Sequence, residues 1–245
     1  LSMILCGVWT VVFTIPIFLA LKDRRPDVVA PSLGLVGSYR ELFRSVARLA
    51  RTSPNTLFFL AASALFRDGL AGVFTFGGVL AQGTFGFTFG EVVIFGVAAN
   101  VVAGVATMLF GLVDDRVGPK AVIVFSLTCL VLLGTGVFLF HDGGAPVFWA
   151  LGLLMCLFVG PAQSASRSFL ARLIPDGMSG ELFGLYATTG RAVSFLSPTL
   201  FGLTIGLGAL VTTGGSAQHW GILGIVAVLL VGLVVASFVK DPSRA

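Results

Sequence analysis

The sequence predicts an all-α integral membrane protein with seven transmembrane helices, and three observations carry this prediction. Of its 245 residues, 56% are hydrophobic and only 11% are charged, whereas a soluble domain carries roughly 25% charged residues. Seven stretches are each long and apolar enough to cross a bilayer, which takes about 20 residues. Most Lys and Arg residues fall on one side of the resulting bundle. A soluble enzyme, a nucleic-acid-binding protein and a disordered chain are therefore poor interpretations.

The seven predicted spans follow one another through short connections, except after the first. They cover Leu1–Leu21, Asn55–Ala81, Phe89–Val113, Ala121–Phe140, Pro146–Leu170, Glu181–Leu207 and His219–Val239. The first span is not a signal peptide, because it lacks a basic start and a small-residue cleavage site. The chain enters this span directly at Leu1, which favours a fragment of a longer protein.

The distribution of basic residues sets the expected orientation. Thirteen of the fifteen Lys and Arg residues lie at the end of, or after, the first, third, fifth and seventh spans, which is one side of the bundle. The loops on the other side, 82–88, 141–145 and 208–218, contain no Lys or Arg. Because short basic loops stay cytoplasmic, we expect the N-terminus outside and the C-terminus inside. The expected location is a bacterial plasma membrane.

The long connection, residues 22–53, predicts a cytoplasmic linker with an amphipathic helix at 37–51. One side of this helix carries Arg40, Arg44, Arg48 and Arg51, and the other carries Tyr39, Leu42, Phe43, Val46 and Leu49. Such a helix is typical of a membrane surface, and a solvated linker helix is the alternative. We favour the surface helix because Tyr39 and Phe43 lie on its apolar side.

Polar side chains within the spans are the candidate solute-binding residues. They are Arg67 and Asp68 in the second span, Asn100 in the third, Gln163 in the fifth and Arg191 in the sixth. Ionisable residues inside a membrane are costly and usually functional, and guanidinium groups favour carboxylate or phosphate ligands. Adjacent residues point about 100° apart on a helix, so we expect Arg67 and Asp68 to meet different partners. The structural alternative is that these groups only lock the helices together.

The sequence predicts no metal site, no cofactor and no enzymatic activity. Cys6, Cys129 and Cys156 lie in apolar stretches without metal-ligand spacing. His141 and His219 lie at the edges of apolar stretches, with no partner nearby in the sequence. Proton coupling needs no bound cofactor, and Asp68 is the candidate proton carrier.

The loop between the third and fourth spans carries a motif of known type. It runs from Gly111 to Lys120 as GLVDDRVGPK and resembles the signature G-x-x-x-D-R-x-G-R-K of the major facilitator superfamily. Pro119 departs from the signature by replacing a basic residue. The resemblance implies a cytoplasmic gate built from Gly111, Asp115, Arg116, Gly118 and Lys120. It also implies that Asp115 accepts hydrogen bonds from backbone N–H groups at 178–183 when the cavity opens outward.

Further segments resemble the vacuolar-effluxer-like branch of this superfamily, which includes autophagy-related vacuolar amino-acid effluxers. They are Phe66–Gly69, Gln163–Ser168, Ala171–Pro175 and Glu181–Tyr186. The resemblance covers residues 54–240 and implies that 54–245 form the C-terminal six-helix half of a twelve-helix transporter. Residues 1–21 then match the sixth helix. It also implies that the first, fourth and seventh spans are peripheral, and these are the spans without charged residues.

The resemblance implies secondary active transport of a small solute by alternating access, with efflux as the favoured direction and amino acids as candidate solutes. The expected partners are that solute, the lipid bilayer and a missing N-terminal half of the transporter. A non-transporting seven-helix receptor and a membrane assembly factor are the alternatives. A retinal protein is excluded, because Lys22, Lys120 and Lys240 lie in loops or at span ends and cannot form the Schiff base.

Overall fold

The computed structural model describes residues 2–20, 35–174, 178–212 and 216–240, which are helical apart from short connections. The helices are α1 Ser2–Ala20, α2 Leu35–Thr52, α3 Pro54–Gly83, α4 Phe89–Val117, α5 Pro119–Leu139, α6 Gly144–Leu173, α7 Ser179–Val193, α8 Leu196–Val211 and α9 Gly221–Phe238. Short 3-10 turns precede α6 and α9. Seven segments, with α7 and α8 counted together, are long and apolar enough to cross a membrane. The predicted all-α integral membrane fold is therefore confirmed.

The chain divides into two compact units, Leu1–Ser45 and Val46–Ala245. The first unit contains α1, an apolar helix with one internal proline, Pro16. The Thr10 hydroxyl donates a hydrogen bond of 2.8 Å to the Cys6 carbonyl oxygen of the same helix, so this polar group is satisfied without a neighbour. The second unit contains α3 to α9 and every candidate site residue.

Helices α3 and α9 form the centre of the second unit, and glycines on α9 allow the close packing. A Cβ at Gly232 would lie 2.7–2.9 Å from the Phe66 backbone and Cβ on α3, and one at Gly224 would lie 2.5 Å from the Leu200 carbonyl on α8. Small residues let membrane helices approach until their backbones touch. Helix α9 packs one face against α3, α5 and α8 and exposes the other. Its peripheral position in a complete transporter stays a prediction.

Polar contacts join helix ends that the prediction places on the basic side of the bundle. The Asn55 side chain, at the start of α3, exchanges two hydrogen bonds of 2.7 Å with the backbone of Lys240, just beyond α9. Lys120 Nζ, at the start of α5, donates to the Ser237 carbonyl oxygen at 3.0 Å. These contacts place the starts of α3 and α5 beside the end of α9, as alternating spans require.

At the opposite end, side-chain contacts join the connections between helices. The rings of His141 and His219 stack with centroids 3.9 Å apart and an interplanar angle of 6°. Gln218 Nε2 donates to the Val79 carbonyl oxygen at 3.1 Å. The two histidines, predicted to have no partner nearby in the sequence, are thus partners of each other in the fold, and His141 Nε2 also lies 3.4 Å from the carboxylate of its neighbour Asp142.

The sixth predicted span, Glu181–Leu207, consists of two helices rather than one. Helix α7 ends at Val193, and α8 begins at Leu196 after a turn. Pro198 explains the break, because proline cannot donate to the carbonyl four residues earlier and its ring clashes with that carbonyl. In the first turn of a new helix the missing N–H costs nothing, and Pro198 is the third residue of α8.

Helix α2 contains the amphipathic helix that the sequence predicts at 37–51. Its apolar side is divided in the structure: Leu49 is 1% exposed, whereas Phe43 is 73% exposed. Leu49, near the end of α2, is therefore packed within the second unit, whereas the Phe43 ring is exposed. Contact between Phe43 and the bilayer surface stays a prediction.

Candidate functional site

A polar cavity of about 230 Å³ lies between α3, α6 and α7. It is lined by Arg67, Asp68, Ala71, Gln163, Ala187, Gly190, Arg191 and Ser194. Four of the five predicted solute-binding residues therefore line one space. The fifth, Asn100, does not: its exposed side chain lies on α4, and its Nδ2 donates to the Gly96 carbonyl oxygen of the same helix at 2.8 Å.

Arg67 connects α3 to α7 through a single residue. Its Nη1 donates a hydrogen bond of 2.9 Å to the Tyr186 carbonyl oxygen, and its Cζ lies 3.9 Å from the centroid of the Tyr186 ring. A guanidinium over an aromatic face is attracted by the ring quadrupole, by about 0.5–2 kcal/mol. The orientation of Arg67 is therefore determined by Tyr186.

Three residues around Arg67 were missed by the sequence reasoning. The Tyr186 hydroxyl is hydrogen-bonded to Ser166 Oγ on α6 at 2.7 Å, and both residues are buried. Gly190 lies one turn after Tyr186 on α7 and makes room for the guanidinium, since a Cβ there would lie 3.0 Å from Arg67 Nη1. Their i, i+4 spacing was a signal that Tyr186 and Gly190 share one helix face. The sequence does not show that Arg67 meets this face.

Asp68 connects α3 to the start of α8. Its buried carboxylate accepts a hydrogen bond of 2.6 Å from the Ser197 backbone N–H. Ser197 is the second residue of α8, where backbone N–H groups lack intrahelical partners and the positive end of the helix dipole favours an anion. Gly72 allows the approach, because a Cβ there would lie 3.0 Å from Ser197 Cβ.

Arg67 and Asp68 thus hold the two sides of the break in the sixth span. Arg67 contacts α7 before the break, and Asp68 contacts α8 after it, so the two neighbours meet different partners as expected. Discontinuous helices whose N-termini point at anionic groups recur at the binding sites of secondary transporters. Here the anionic group at the helix start is the protein's own carboxylate.

Gln163 and Arg191 line the cavity from α6 and α7. Within the described part of the chain, neither side chain makes a hydrogen bond or an ion pair. Gln163 is half-buried and Arg191 is exposed. A guanidinium is always charged and presents a fork of N–H groups that matches a carboxylate or phosphate. This side of the cavity can therefore bind an anion without first breaking a contact of its own.

The signature loop forms a tight turn between α4 and α5. Gly118 has a φ of 87°, and its N–H donates to the Asp114 carbonyl oxygen at 2.9 Å. Glycine adopts this conformation without a Cβ penalty, and Pro119 suits the first position of α5. The Lys120 ammonium then lies at the negative end of the α9 dipole. At Gly111, in contrast, a Cβ would meet nothing within 4 Å.

Asp115 does not reach the start of α7 in this structure. Asp115 and Arg116 are exposed, and neither side chain makes a hydrogen bond or ion pair with the described residues. The physical reason is that α4 continues one turn beyond its predicted end, so that neighbouring side chains point about 100° apart. Asp114 is the one that faces α6, near Ser168 and Arg172. The contact of Asp115 with α7 stays a prediction for the outward-open state.

The side chains that could ligate a metal are dispersed. Over the described ranges, no group of three or more His, Cys, Asp or Glu side chains could hold a metal ion. The three cysteines are free, with Cys6 exposed and Cys156 buried. The polar groups that come together are those of the cavity, which are suited to reversible binding of a polar solute.

The chain is similar to membrane transporters along nearly its whole length. The model of the family described as "Vacuole effluxer Atg22 like" matches residues 1–241. The chain is 24% identical to the uncharacterized MFS-type transporter YxiO of Bacillus subtilis (strain 168), over 98% of this chain and 54% of that protein. It is 30% identical to autophagy-related protein 22 of Coccidioides immitis (strain RS), over 82% of this chain and 37% of that protein.

Autophagy-related protein 22-1 of Aspergillus fumigatus is 28% identical, over 83% of this chain and 37% of that protein. The chain thus spans about half or less of the length of these curated relatives. The family match agrees with the resemblance carried by the signature loop and by the segments around Asp68 and Glu181. With its seven apolar spans, this chain is an integral membrane protein that belongs to the vacuole effluxer Atg22-like family.

Proposed function

We propose that this chain is one half of a secondary active transporter that moves a small solute across a membrane by alternating access. The observation that carries the proposal is the cavity of about 230 Å³ lined by Arg67, Asp68, Gln163 and Arg191. Charged groups at membrane depth are costly, so four polar side chains around one space favour a binding site over simple packing. The family supports transport, and its description as effluxers supports export as the direction. Amino acids are candidate solutes.

A second six-helix half would supply the other wall of the cavity. Within the second unit, α4 and the α7–α8 pair are the least buried spans, and their exposed sides offer the contact surface. The relative YxiO is about twice as long as the region it shares with this chain. We assign 54–245 to the C-terminal half, 22–53 to the linker and 1–21 to the helix before it. In this arrangement Asn100, exposed on α4, would face the second half.

A flux measurement tests the proposed function. The complete gene product would be reconstituted into liposomes and supplied with radiolabelled amino acids, organic acids and sugars. We expect uptake of at least one solute that empty liposomes do not accumulate. Binding of a solute without flux would instead support a receptor, and neither binding nor flux would support an assembly factor.

We propose that the protein lies in a bacterial plasma membrane with its N-terminus outside, and cysteine labelling tests the orientation. In a background in which Cys6, Cys129 and Cys156 are replaced by serine, we expect an impermeant maleimide to label Ser216→Cys in intact cells. We expect Gly180→Cys to be labelled only after permeabilisation. The reverse pattern would show that the basic side of the bundle faces outward.

A further inference from the structure

The geometry points to a solute class for the cavity: a small carboxylate that needs no ammonium group, held by Arg191 and Gln163. This inference rests on the proposed transport function, because it names the kind of solute that the cavity selects. A cavity that contains both arginine and aspartate would most simply be expected to bind a zwitterion, with its carboxylate on arginine and its ammonium on aspartate. The solute class inferred here differs from that expectation. The reason lies in which charges of the cavity are already engaged.

The carboxylate of the cavity is engaged by the protein itself. Asp68 is buried and accepts its hydrogen bond of 2.6 Å from Ser197 N–H at the start of α8. The positive end of the α8 dipole offsets its negative charge. One carboxylate oxygen is thereby engaged by the protein, and a solute ammonium could approach only the other oxygen. Asp68 is therefore a positioning residue for α8, and its negative charge is only partly available to a solute ammonium.

The two guanidinium groups of the cavity differ in whether contacts within the protein already engage them. Arg67 is held by the Tyr186 carbonyl oxygen and ring, and Gly190 lies against it. Arg191 lines the cavity from the same helix as Tyr186 and has no hydrogen bond or ion pair within the described chain. A ligand can therefore take both prongs of the Arg191 fork, and the positive charge of Arg67 adds a favourable field.

Gln163 supplies a second donor from another helix. It lies on α6 and lines the same cavity, and its amide has no partner among the residues that the structure describes. An amide N–H from α6 and a guanidinium fork from α7 can bind one carboxylate from two sides. The wall that this chain supplies holds two cations and one carboxylate whose charge is offset by the start of α8, so this wall favours an anion over a zwitterion, and a zwitterion over a cation.

Solutes that share a carbon skeleton but differ in charge test this inference. The complete gene product would be given L-lactate, L-alanine and L-lactamide, and the corresponding hydroxy acid, amino acid and hydroxy amide on the leucine skeleton. Binding would be measured by thermal shift in detergent, and flux in liposomes. We expect the hydroxy acid of at least one set to bind more tightly than its amino acid, and its amide to show no shift.

Variants assign the anion contact to Arg191. Arg191→Gln is expected to weaken hydroxy-acid binding roughly 10- to 100-fold, as loss of a hydrogen bond to a charged group does, and Arg191→Lys to restore part of it. Arg51→Gln removes an exposed positive charge on α2 and is the matched control, with binding unchanged. Membrane abundance of all three variants should stay within about twofold, because the Arg191 side chain has no partner among the described residues and Arg51 is exposed.

The outcomes separate the inference from the proposed function. Flux that favours the amino acid or the amide, or that is unchanged in Arg191→Gln, overturns the anion assignment but leaves transport in place. Hydroxy-acid binding that depends on Arg191 but occurs without flux supports the anion site and contradicts transport. If no solute produces either a shift or flux, both the anion site and the transport function are wrong.

Discussion

Asp68→Asn is expected to reduce solute flux at least tenfold while the protein still inserts and folds. Asparagine keeps the size of the side chain and can still accept a hydrogen bond from Ser197 N–H, but it loses the charge that faces the start of α8. A charge at a helix N-terminus contributes about 0.3–2 kcal/mol. When two conformations are nearly balanced, a change of about 1.4 kcal/mol shifts their populations tenfold. The measurement is initial flux in liposomes, normalised to reconstituted protein.

Asp142→Asn is the matched control for Asp68→Asn, because Asp142 lies in the connection between α5 and α6 and its side chain is 94% exposed. Its flux should equal that of the parent protein. Normal flux in Asp68→Asn would mean that the charge holding α8 has no part in transport. Loss of Asp68→Asn from the membrane would assign Asp68 to packing alone.

The same variant tests proton coupling when flux is measured with and without a pH gradient. If Asp68 carries the proton, the gradient should change flux in the parent protein but not in Asp68→Asn.

Gly232→Ala is expected to cause a clear loss of folded protein, because it adds a methyl group where α9 crosses α3. The added Cβ would lie 2.7–2.9 Å from Cβ, N and Cα of Phe66. Two of these three atoms belong to the α3 backbone and cannot rotate away, so the helices must separate. Overpacking of a core typically costs about 1–3 kcal/mol, and separation of α3 from α9 also disturbs the helix that carries Arg67 and Asp68. The measurement is the melting temperature in detergent, together with the monodisperse fraction on size exclusion.

Gly202→Ala on α8 is the control for Gly232→Ala, because a Cβ at Gly202 would meet nothing within 4 Å. Both substitutions add one methyl group to an apolar helix, and alanine favours a helix over glycine by about 1 kcal/mol. Gly202→Ala should therefore leave the melting temperature unchanged or slightly raised. Equal melting temperatures for the two variants would show that the α3–α9 crossing is looser than the structure indicates.

Much of the fold was predictable from the sequence, because a membrane imposes strong rules on short segments. A span needs about 20 apolar residues, and its backbone must satisfy its own hydrogen bonds as a helix. These rules led to all seven spans and to the all-α class, and the family match agrees with the resemblance of the signature loop. The positive φ at Gly118 and the start of α5 at Pro119 also depend on local properties of the chain.

The break in the sixth span was less predictable, although its cause is local. Proline within a membrane helix is often tolerated, because neighbouring groups satisfy the freed carbonyl, and α6 continues through Pro161. At Pro198 the chain instead starts a new helix, and Asp68 from a distant part of the sequence accepts the freed Ser197 N–H. The two prolines thus have different outcomes. Helix α6 continues through Pro161, whereas a new helix begins just before Pro198, where Asp68 on α3 accepts a hydrogen bond from Ser197 N–H.

The sequence by itself determined which segments cross the membrane, which loops are basic and which polar residues lie at depth. Tertiary structure alone decided which of those polar side chains share a cavity and which make no hydrogen bond or ion pair with the described residues. Arg67, Gln163 and Arg191 line one space while Asn100 lies elsewhere, and no local pattern separates them. Helical periodicity relates residues within one helix, but the rotation of each helix toward its neighbours depends on packing over the whole bundle, such as the close approach at Gly232.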